Sequence, residues 1–87
     1  MHDSNQLRCD IRQFVIDELL MGDAASMLPD GASLTEAGIV NSTGVLEVLM
    51  FLEQKFALSV ADRELVPENF DSIDNLVAFV QRKTRAA

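Results

Sequence analysis

Apolar residues recur every three or four positions in three stretches of the chain, and this spacing predicts three amphipathic helices. The first is predicted over residues 5–21, where Gly22 is a suitable stop, the second over 42–56 and the last over 72–82. The apolar positions are Leu7, Ile11, Phe14, Val15 and Leu19 in the first helix, Val45, Leu49, Leu52 and Phe56 in the second, and Ile73, Leu76, Val77 and Val80 in the last. Further apolar residues, including Met50 and Phe51, widen the stripe of the second helix well beyond one face.

The connecting segments are rich in turn-forming residues. Residues 22–41 hold Pro29 and three glycines, which predicts a long first loop, and the Ser33–Glu36 stretch fits a capping box for a short turn within it. A loop of this length is expected to pack on the core. Its expected anchors are Leu28, Leu34, Ile39 and Val40.

The segment after the second helix predicts a short third helix over 63–66 that is closed by Pro67, and Asp71 is expected to cap the last helix. No segment alternates with period two for long enough to be a strand. The prediction is therefore an all-α fold of one domain over residues 1–87: a small four-helix bundle, with three main helices, one short helix and a long first loop.

Charge is distributed unevenly along the 87 residues. The net charge is −7, and no lysine or arginine stands between Arg12 and Lys55. Such an acidic stretch argues against a nucleic-acid partner, which requires clustered cations. It is compatible with docking onto basic protein surfaces, but charge alone favours the simpler explanation that acidity only keeps a small domain soluble.

Composition bears on the compartment and on the chemistry. No apolar run reaches the length of a membrane span, the N-terminal "MHDSNQLRCD" does not resemble a secretory signal, and the single Cys9, expected to be half-buried, cannot form an internal disulfide. These features favour the cytoplasm and no membrane contact.

One histidine, His2, and one cysteine exclude a zinc site of these ligands, and no phosphate-binding glycine loop or placed catalytic triad is found, so we expect no metal and no enzymatic activity.

A row of three cap-type residues, Asn41, Ser42 and Thr43, precedes the most apolar helix of the chain. A helix cap alone can explain such residues, but one of them would be enough for that purpose. The excess of cap-type residues therefore weakens the explanation by capping alone.

The stretch "LTEAGIVNSTGVLEVLMFLEQKFALSV", followed by "PENFDSIDNLVAFV", resembles an acyl carrier protein or a peptidyl-carrier relative over nearly the whole chain. The resemblance implies a four-helix bundle in which a transferase attaches a 4′-phosphopantetheine arm, through a phosphodiester, to the serine that starts the second helix. Cargo would then be held as a thioester on the thiol of the arm. The matching serine is Ser42, and Gly38 and Ile39 match the residues that lead into the motif.

The chain departs from the common Gly-x-Asp-Ser-Leu form of this motif at three places. Asn41 stands where the family has an acid, Thr43 where it has leucine, and Val40 is an extra residue before the Asn-Ser pair. The resemblance implies that the family's acid helps to hold a metal ion during arm transfer, so Asn41 keeps the capping ability but lacks that charge. The run Ser42-Thr43-Gly44 resembles specialised, stand-alone carriers more than the housekeeping carrier of fatty-acid synthesis.

A second serine offers a rival motif. Asp71-Ser72-Ile73 is closer to Asp-Ser-Leu than Asn41-Ser42-Thr43 is. Only one helix can follow Ser72, whereas the family pattern requires two, so the resemblance favours Ser42.

A carrier needs transient contacts with several enzymes, which the resemblance identifies as a phosphopantetheinyl transferase, a loading ligase for acyl or aminoacyl cargo, and downstream synthases or transferases with basic docking patches. The expected docking residues on the second helix are Glu47, Met50, Glu53 and Gln54, with Thr43 beside the arm. For Phe51 we expect a core position. We expect a monomer. The alternative hypothesis is a small acidic helical interaction module that carries no arm and uses the same helix to bind one protein.

Overall fold

The fold is known from a computed structural model that describes residues 4–85, with only the backbone described at Ser42, Pro67 and Arg85. His2 lies outside the described residues. The four α-helices are α1 (Ser4–Phe14), α2 (Ser42–Phe56), α3 (Pro67–Phe70) and α4 (Ile73–Arg85). Residues 4–85 contain no strand, and the prediction of an all-α four-helix fold is confirmed.

The first helix is less regular than predicted over its last turns. The α-helical part ends at Phe14 and continues as a π-helical turn over Val15–Leu19, in which the Leu20 amide donates to the Val15 carbonyl at 3.0 Å. Met21 and Gly22 then take positive φ angles of 55° and 85° in the turn that follows. Apolar spacing does not distinguish a single π turn from an α turn, because residues four apart stay close to one face in both.

The second helix has the predicted bounds, but its innermost line differs from the predicted stripe. Val48, Leu52 and Phe56 are buried, and Gly44 continues that line towards the start of the helix, whereas Val45 and Leu49 are half-buried. The helix ends at Ala57, which adopts the left-handed conformation with φ 54° and ψ 45°.

The prediction of a short helix over 63–66 closed by Pro67 is wrong. A 3-10 turn occupies Asp62–Glu64, and the helix α3 begins at Pro67 instead of ending before it. Proline is favoured at the first position of a helix because the N–H group that it lacks would have no partner there.

The predicted cap of the last helix is also wrong by one residue. Ser72 Oγ accepts a hydrogen bond from the Asn75 amide at 3.1 Å, so Ser72 caps α4, and the helix extends three residues beyond the predicted end at 82. Asp71 points elsewhere. Its carboxylate accepts hydrogen bonds from the hydroxyls of Ser33 (2.8 Å) and Thr35 and joins the first loop to the start of α4.

The apolar core is formed by all four helices and by two residues of the first loop. Its buried members are Leu7, Ile11, Val15, Leu34, Val40, Val48, Leu52, Phe56, Phe70, Ile73, Leu76, Val77, Phe79 and Val80. The helices α1 and α4 pack closely on each other. Cys9, expected to be half-buried, is instead exposed, because it lies between the core positions Leu7 and Ile11 on the outer face of α1.

The long first loop is fastened to the bundle at its middle. Asp30 accepts hydrogen bonds from Arg12 at 2.6 Å and from Arg8 at 3.0 Å, and Arg8 also pairs with Asp74 of α4. The hydrogen bond to Asp74, which is the largest contribution, and the one to Asp30 raise the pKa of the Arg8 guanidinium. Of the four predicted anchors of the loop, Leu34 and Val40 are buried, and Leu28 and Ile39 pack partly buried against the core.

Candidate functional site

The helix α2 begins with Ser42, directly after an extended residue. Asn41 has φ −112° and ψ −172°, its Oδ1 accepts a hydrogen bond from the Gly44 amide at 2.8 Å, and its carbonyl accepts from the Val45 amide at 2.9 Å. Asn41 is therefore the N-cap, and Ser42 and Thr43 occupy the first two helical positions. Asn41 thus supplies the side-chain acceptor that caps the helix.

The start of α2 has an electrostatic environment that suits an anion. The helix is 15 residues long and has no acidic residue in its first turn, so the positive end of its dipole is not neutralised within the helix. Asn41 and Thr43 are both exposed. These features fit a phosphodiester at Ser42. The side chain of Ser42 lies outside the described part of the chain, so the exposure of its hydroxyl stays a prediction.

Buried apolar residues pack against the backbone at the start of α2. Val40, the residue that is extra relative to the family motif, is buried, with 3% of its surface exposed, and its amide donates to the Leu34 carbonyl at 3.2 Å. Gly44 is buried beside Leu19 and Val40. The extra residue thus serves as the anchor that holds the end of the loop next to Ser42.

Ser72, the serine of the rival motif, has a structural role as a helix cap. Ser72 is 6% exposed, and its hydroxyl oxygen accepts the capping hydrogen bond from Asn75. A large group attached to Ser72 would have to displace this cap and open the core around it.

The predicted docking residues of α2 fall into two groups. Glu47, Met50 and Gln54 are exposed and line one side of an open groove of about 560 Å³ between α1 and α2. Glu53 does not line this groove. Its Oε2 accepts a hydrogen bond from the Val60 amide at 2.9 Å, so Glu53 holds the segment that follows α2.

Two apolar residues of α2 have contrasting positions. Met50 is 56% exposed, whereas Phe51 is half-buried and stacks on Phe14 with ring centroids 4.3 Å apart and an interplanar angle of 18°. Leu46, which lies on the same face as Met50 one turn earlier, is 55% exposed. Leu46 was not among the predicted docking residues, although its position four residues before Met50 was the signal that could have identified it.

The α1 side of the groove was also missed. Asp10, Gln13 and Asp17 recur at three- and four-residue spacing on one face of the first helix, and all three line the groove. Nothing in the spacing of these residues indicates that this face borders α2.

Other kinds of site are not found in the part of the chain that the structure describes. Residues 4–85 contain no group of three or more histidine, cysteine or acidic side chains arranged to hold a metal ion. Among the helices described, none is both long and apolar enough to cross a membrane.

Comparisons with known proteins agree with the class that the fold defines, a small helical bundle. The D-alanyl carrier protein of Streptococcus suis (strain 05ZYH33) is 29% identical over 66 residues, which cover 76% of this chain and 81% of that protein. The probable acyl carrier protein PigG of Serratia sp. (strain ATCC 39006) is 37% identical over 49 residues, 56% of each chain. No protein-family model matches the chain.

The same fold is found in a solved structure. The crystal structure of an acyl carrier protein from Thermotoga maritima superposes with a TM-score of 0.72 and covers 95% of this chain and 92% of that one, at 22% identity. The chain is thus similar in sequence to proteins named as D-alanyl and acyl carriers, and it shares the fold of the solved structure.

Proposed function

We propose that this protein is a stand-alone carrier of acyl or aminoacyl groups, which holds its cargo on a 4′-phosphopantetheine arm attached to Ser42. The observation that carries the proposal is the capping contact of Asn41. Because Asn41 Oδ1 already satisfies the Gly44 amide, capping does not account for a serine at position 42. The names of the similar proteins, a D-alanyl carrier and acyl carriers, support the same role.

The residues around Ser42 would act by position and by charge. Attachment joins the Ser42 oxygen to the phosphorus of the phosphopantetheine part of coenzyme A. The phosphoanhydride bond of coenzyme A breaks, adenosine 3′,5′-bisphosphate leaves, and the hydroxyl proton passes to a base of the transferase. The first turn of α2 would stabilise the resulting anionic phosphodiester with its positive dipole end. When attached, the arm supplies a thiol that holds the cargo as a thioester.

The proposed partners are a phosphopantetheinyl transferase, a loading ligase and the downstream enzymes that take the cargo, and the proposed compartment is the cytoplasm. Each partner must approach Ser42 and leave again, which favours a modest and partly polar contact surface. Exposed residues of α2, namely Thr43, Leu46, Glu47, Met50 and Gln54, follow one another along the helix from the Ser42 end and are suited to this contact. In this role the protein presents the cargo and its partners perform the chemistry.

The alternative from the sequence, an unmodified acidic interaction module, is not favoured, because the similar proteins are named carriers. It would still predict a chain that never acquires an arm. Intact mass therefore separates the two hypotheses.

The test is to incubate the purified protein with coenzyme A and a promiscuous phosphopantetheinyl transferase and to measure the intact mass. We expect a gain of one arm in the wild type and in Ser72→Ala, and no gain in Ser42→Ala. Circular dichroism checks that each variant is folded, which matters for Ser72→Ala because it loses a helix cap. An unmodified wild type, or modification that survives Ser42→Ala, would overturn the proposal.

A further inference from the structure

The groove between α1 and α2 has two walls of the same construction. Residues 10, 13, 14, 17 and 18 of the first helix and residues 47, 50, 51, 54 and 55 of α2 line it, with identical spacing of three, four, seven and eight positions. Each wall is thus a continuous stripe of about two helical turns, roughly 12 Å long at 1.5 Å per residue. A site of this length and openness suits a short segment of polypeptide.

The centre of the groove is apolar. The stacked rings of Phe14 and Phe51 are both half-buried, and Met50 exposes 56% of its surface beside them. Exposed apolar surface that is bordered by polar residues is typical of a site for another molecule. Methionine adapts its shape to different apolar partners, which suits a surface that several enzymes must contact.

The rim of the groove is acidic. Asp10, Asp17 and Glu18 stand on the side of the first helix and Glu47 on the side of α2, against one cation, Lys55. This charge selects a basic occupant. A second copy of the chain would bring two acidic rims together in a protein of net charge −7, and the carboxylate of a free fatty acid would be repelled by the same rim.

We propose that the α1–α2 groove receives a short, basic, amphipathic segment of a partner protein. Apolar side chains of that segment lie on Phe14, Met50 and Phe51, and its lysines or arginines face the carboxylates of both helices. The contact therefore includes the first helix and leaves out Glu53, whose carboxylate is engaged with the Val60 amide. This inference deepens the proposed function, because the segment belongs to an enzyme that acts at Ser42.

The groove lies close enough to the attachment point to serve it. Glu47 follows Ser42 by five residues, about 7.5 Å along the axis of α2. A segment held in the groove would place the rest of its protein beside the start of the helix.

The test uses the unmodified protein and a synthetic 14-residue peptide with leucines on one helical face and lysines on the other. A scrambled peptide of the same composition, which lacks an apolar face, is the control probe. Amide chemical shifts from nitrogen-15 NMR locate the binding site and yield the dissociation constant. We expect the shifts to concentrate in the first helix and α2, and the scrambled peptide to bind at least about fivefold more weakly, because it cannot bury apolar surface on the centre of the groove.

Matched variants separate the groove from general acidity. Met50→Ala should weaken binding about tenfold and Asp17→Asn with Glu18→Gln about fivefold, from lost apolar contact and lost ion pairs respectively. The controls are Met21→Ala, at a methionine that is 88% exposed outside the groove, and Glu36→Gln with Glu68→Gln, at two exposed acids outside it. Both controls should bind within about twofold of the wild type, as differences of that size are only about 0.4 kcal/mol.

Several results would overturn the proposal. These are equal binding of the two peptides, equal weakening by the control variants, shifts centred outside the groove, or a dimer in sedimentation that Met50→Ala abolishes, which would assign the groove to a second copy. Modification at Ser42 is measured by mass on the same samples. A carrier that is modified but does not bind the peptide through the groove would refute this inference alone, and peptide binding without modification would refute the proposed function alone.

Discussion

Asn41 Oδ1 lies 2.8 Å from the Gly44 amide nitrogen and caps the helix that begins at Ser42. Asn41, which stands where the resembling family has an acid, therefore has a structural role at the site. It holds the first turn of α2 in place and contributes no charge there. Stability and modification at this position should consequently respond differently to substitution.

Replacing Asn41 separates the two roles. Asn41→Ala removes the cap and should cost about 1 kcal/mol of unfolding free energy. Asn41→Asp keeps the cap and adds a negative charge at the positive end of the helix, so stability should stay equal or rise by about 0.3–1 kcal/mol. Urea unfolding measures both changes.

The same aspartate variant bears on arm transfer. If an acid before the serine helps to hold a metal ion during transfer, Asn41→Asp should be modified faster than the wild type in a time course of intact mass. The Asn41→Ala protein is the control, because it changes the residue without adding charge. Equal rates for the wild type and Asn41→Asp would contradict this role for the acid.

Acid should weaken the attachment of the first loop to α4. The hydroxyls of Thr35, which contribute most, and of Ser33 donate to Asp71 and lower the pKa of its carboxyl below the ordinary value. A depressed pKa contributes stability that is complete above the unfolded value of about 4 and is lost as the pH falls through the folded value. The urea midpoint should therefore drop between about pH 5 and pH 3.

Variants of this pair assign the pH effect. Asp71→Asn should lower stability at pH 7 by about 1 kcal/mol and flatten the pH dependence, and Thr35→Val should do so in part. Because the two residues share one interaction, the double variant should cost less than the two single changes combined. An unchanged pH dependence in Asp71→Asn would show that other groups produce the acid sensitivity, and strict additivity would show that Thr35 and Asp71 act independently.

Glycine at position 57 should stabilise the protein. Ala57 ends α2 with φ 54°, a conformation that costs an L-residue about 1–2 kcal/mol, and glycine avoids most of that cost while losing some chain entropy. We expect a net gain of about 0.5–1 kcal/mol in the free energy of unfolding. Ala61→Gly is the matched control, because Ala61 has φ −81° and ψ 152° and should lose stability by a similar amount. A loss in both variants would argue against strain at Ala57.

The two acids of α2 should give different phenotypes on substitution. Glu47→Lys should slow arm transfer about five- to tenfold at low salt, with little change in stability, because Glu47 is exposed on the groove. Glu53→Ala should lower the free energy of unfolding by about 1 kcal/mol, because the Val60 amide loses its acceptor. Transfer rates at two salt concentrations, together with urea unfolding, measure both effects, and the effect of Glu47→Lys should shrink as salt rises. A transfer defect that is insensitive to salt would not come from this charge.

Local signals in the sequence were sufficient for the main helices. The spacing of apolar residues and the cap-type residues at 41–43 predicted α2 over its observed bounds, and the core positions Ile73, Leu76, Val77 and Val80 are all buried in α4. These features depend on neighbours within one or two helical turns. Periodicity reports such neighbours directly.

Features that depend on distant partners were not predictable in the same way. Asp71 is a residue type that often caps a helix. Its carboxylate instead accepts hydrogen bonds from Ser33 and Thr35, which lie 38 and 36 positions earlier in the sequence, and Ser72 caps α4 in its place. In the sequence, Glu53 and Glu47 are two similar acids on α2. They differ in the structure because the segment after the helix brings the Val60 amide to the Glu53 carboxylate. In both cases the tertiary fold, rather than the local pattern, selects the partner.

The ion pairs at Asp30 divide the first loop into two parts with different tolerance for change. The exposed residues 23–25 come before Leu28 and before the ion pairs of Asp30 with Arg8 and Arg12. Extra residues inserted there should lengthen a surface loop at small entropic cost. Between Leu34 and Val40, both ends are buried, and an insertion would push directly on the start of α2. A tag or reporter for following this protein in cells therefore belongs in the first part, where it leaves the position of Ser42 unchanged.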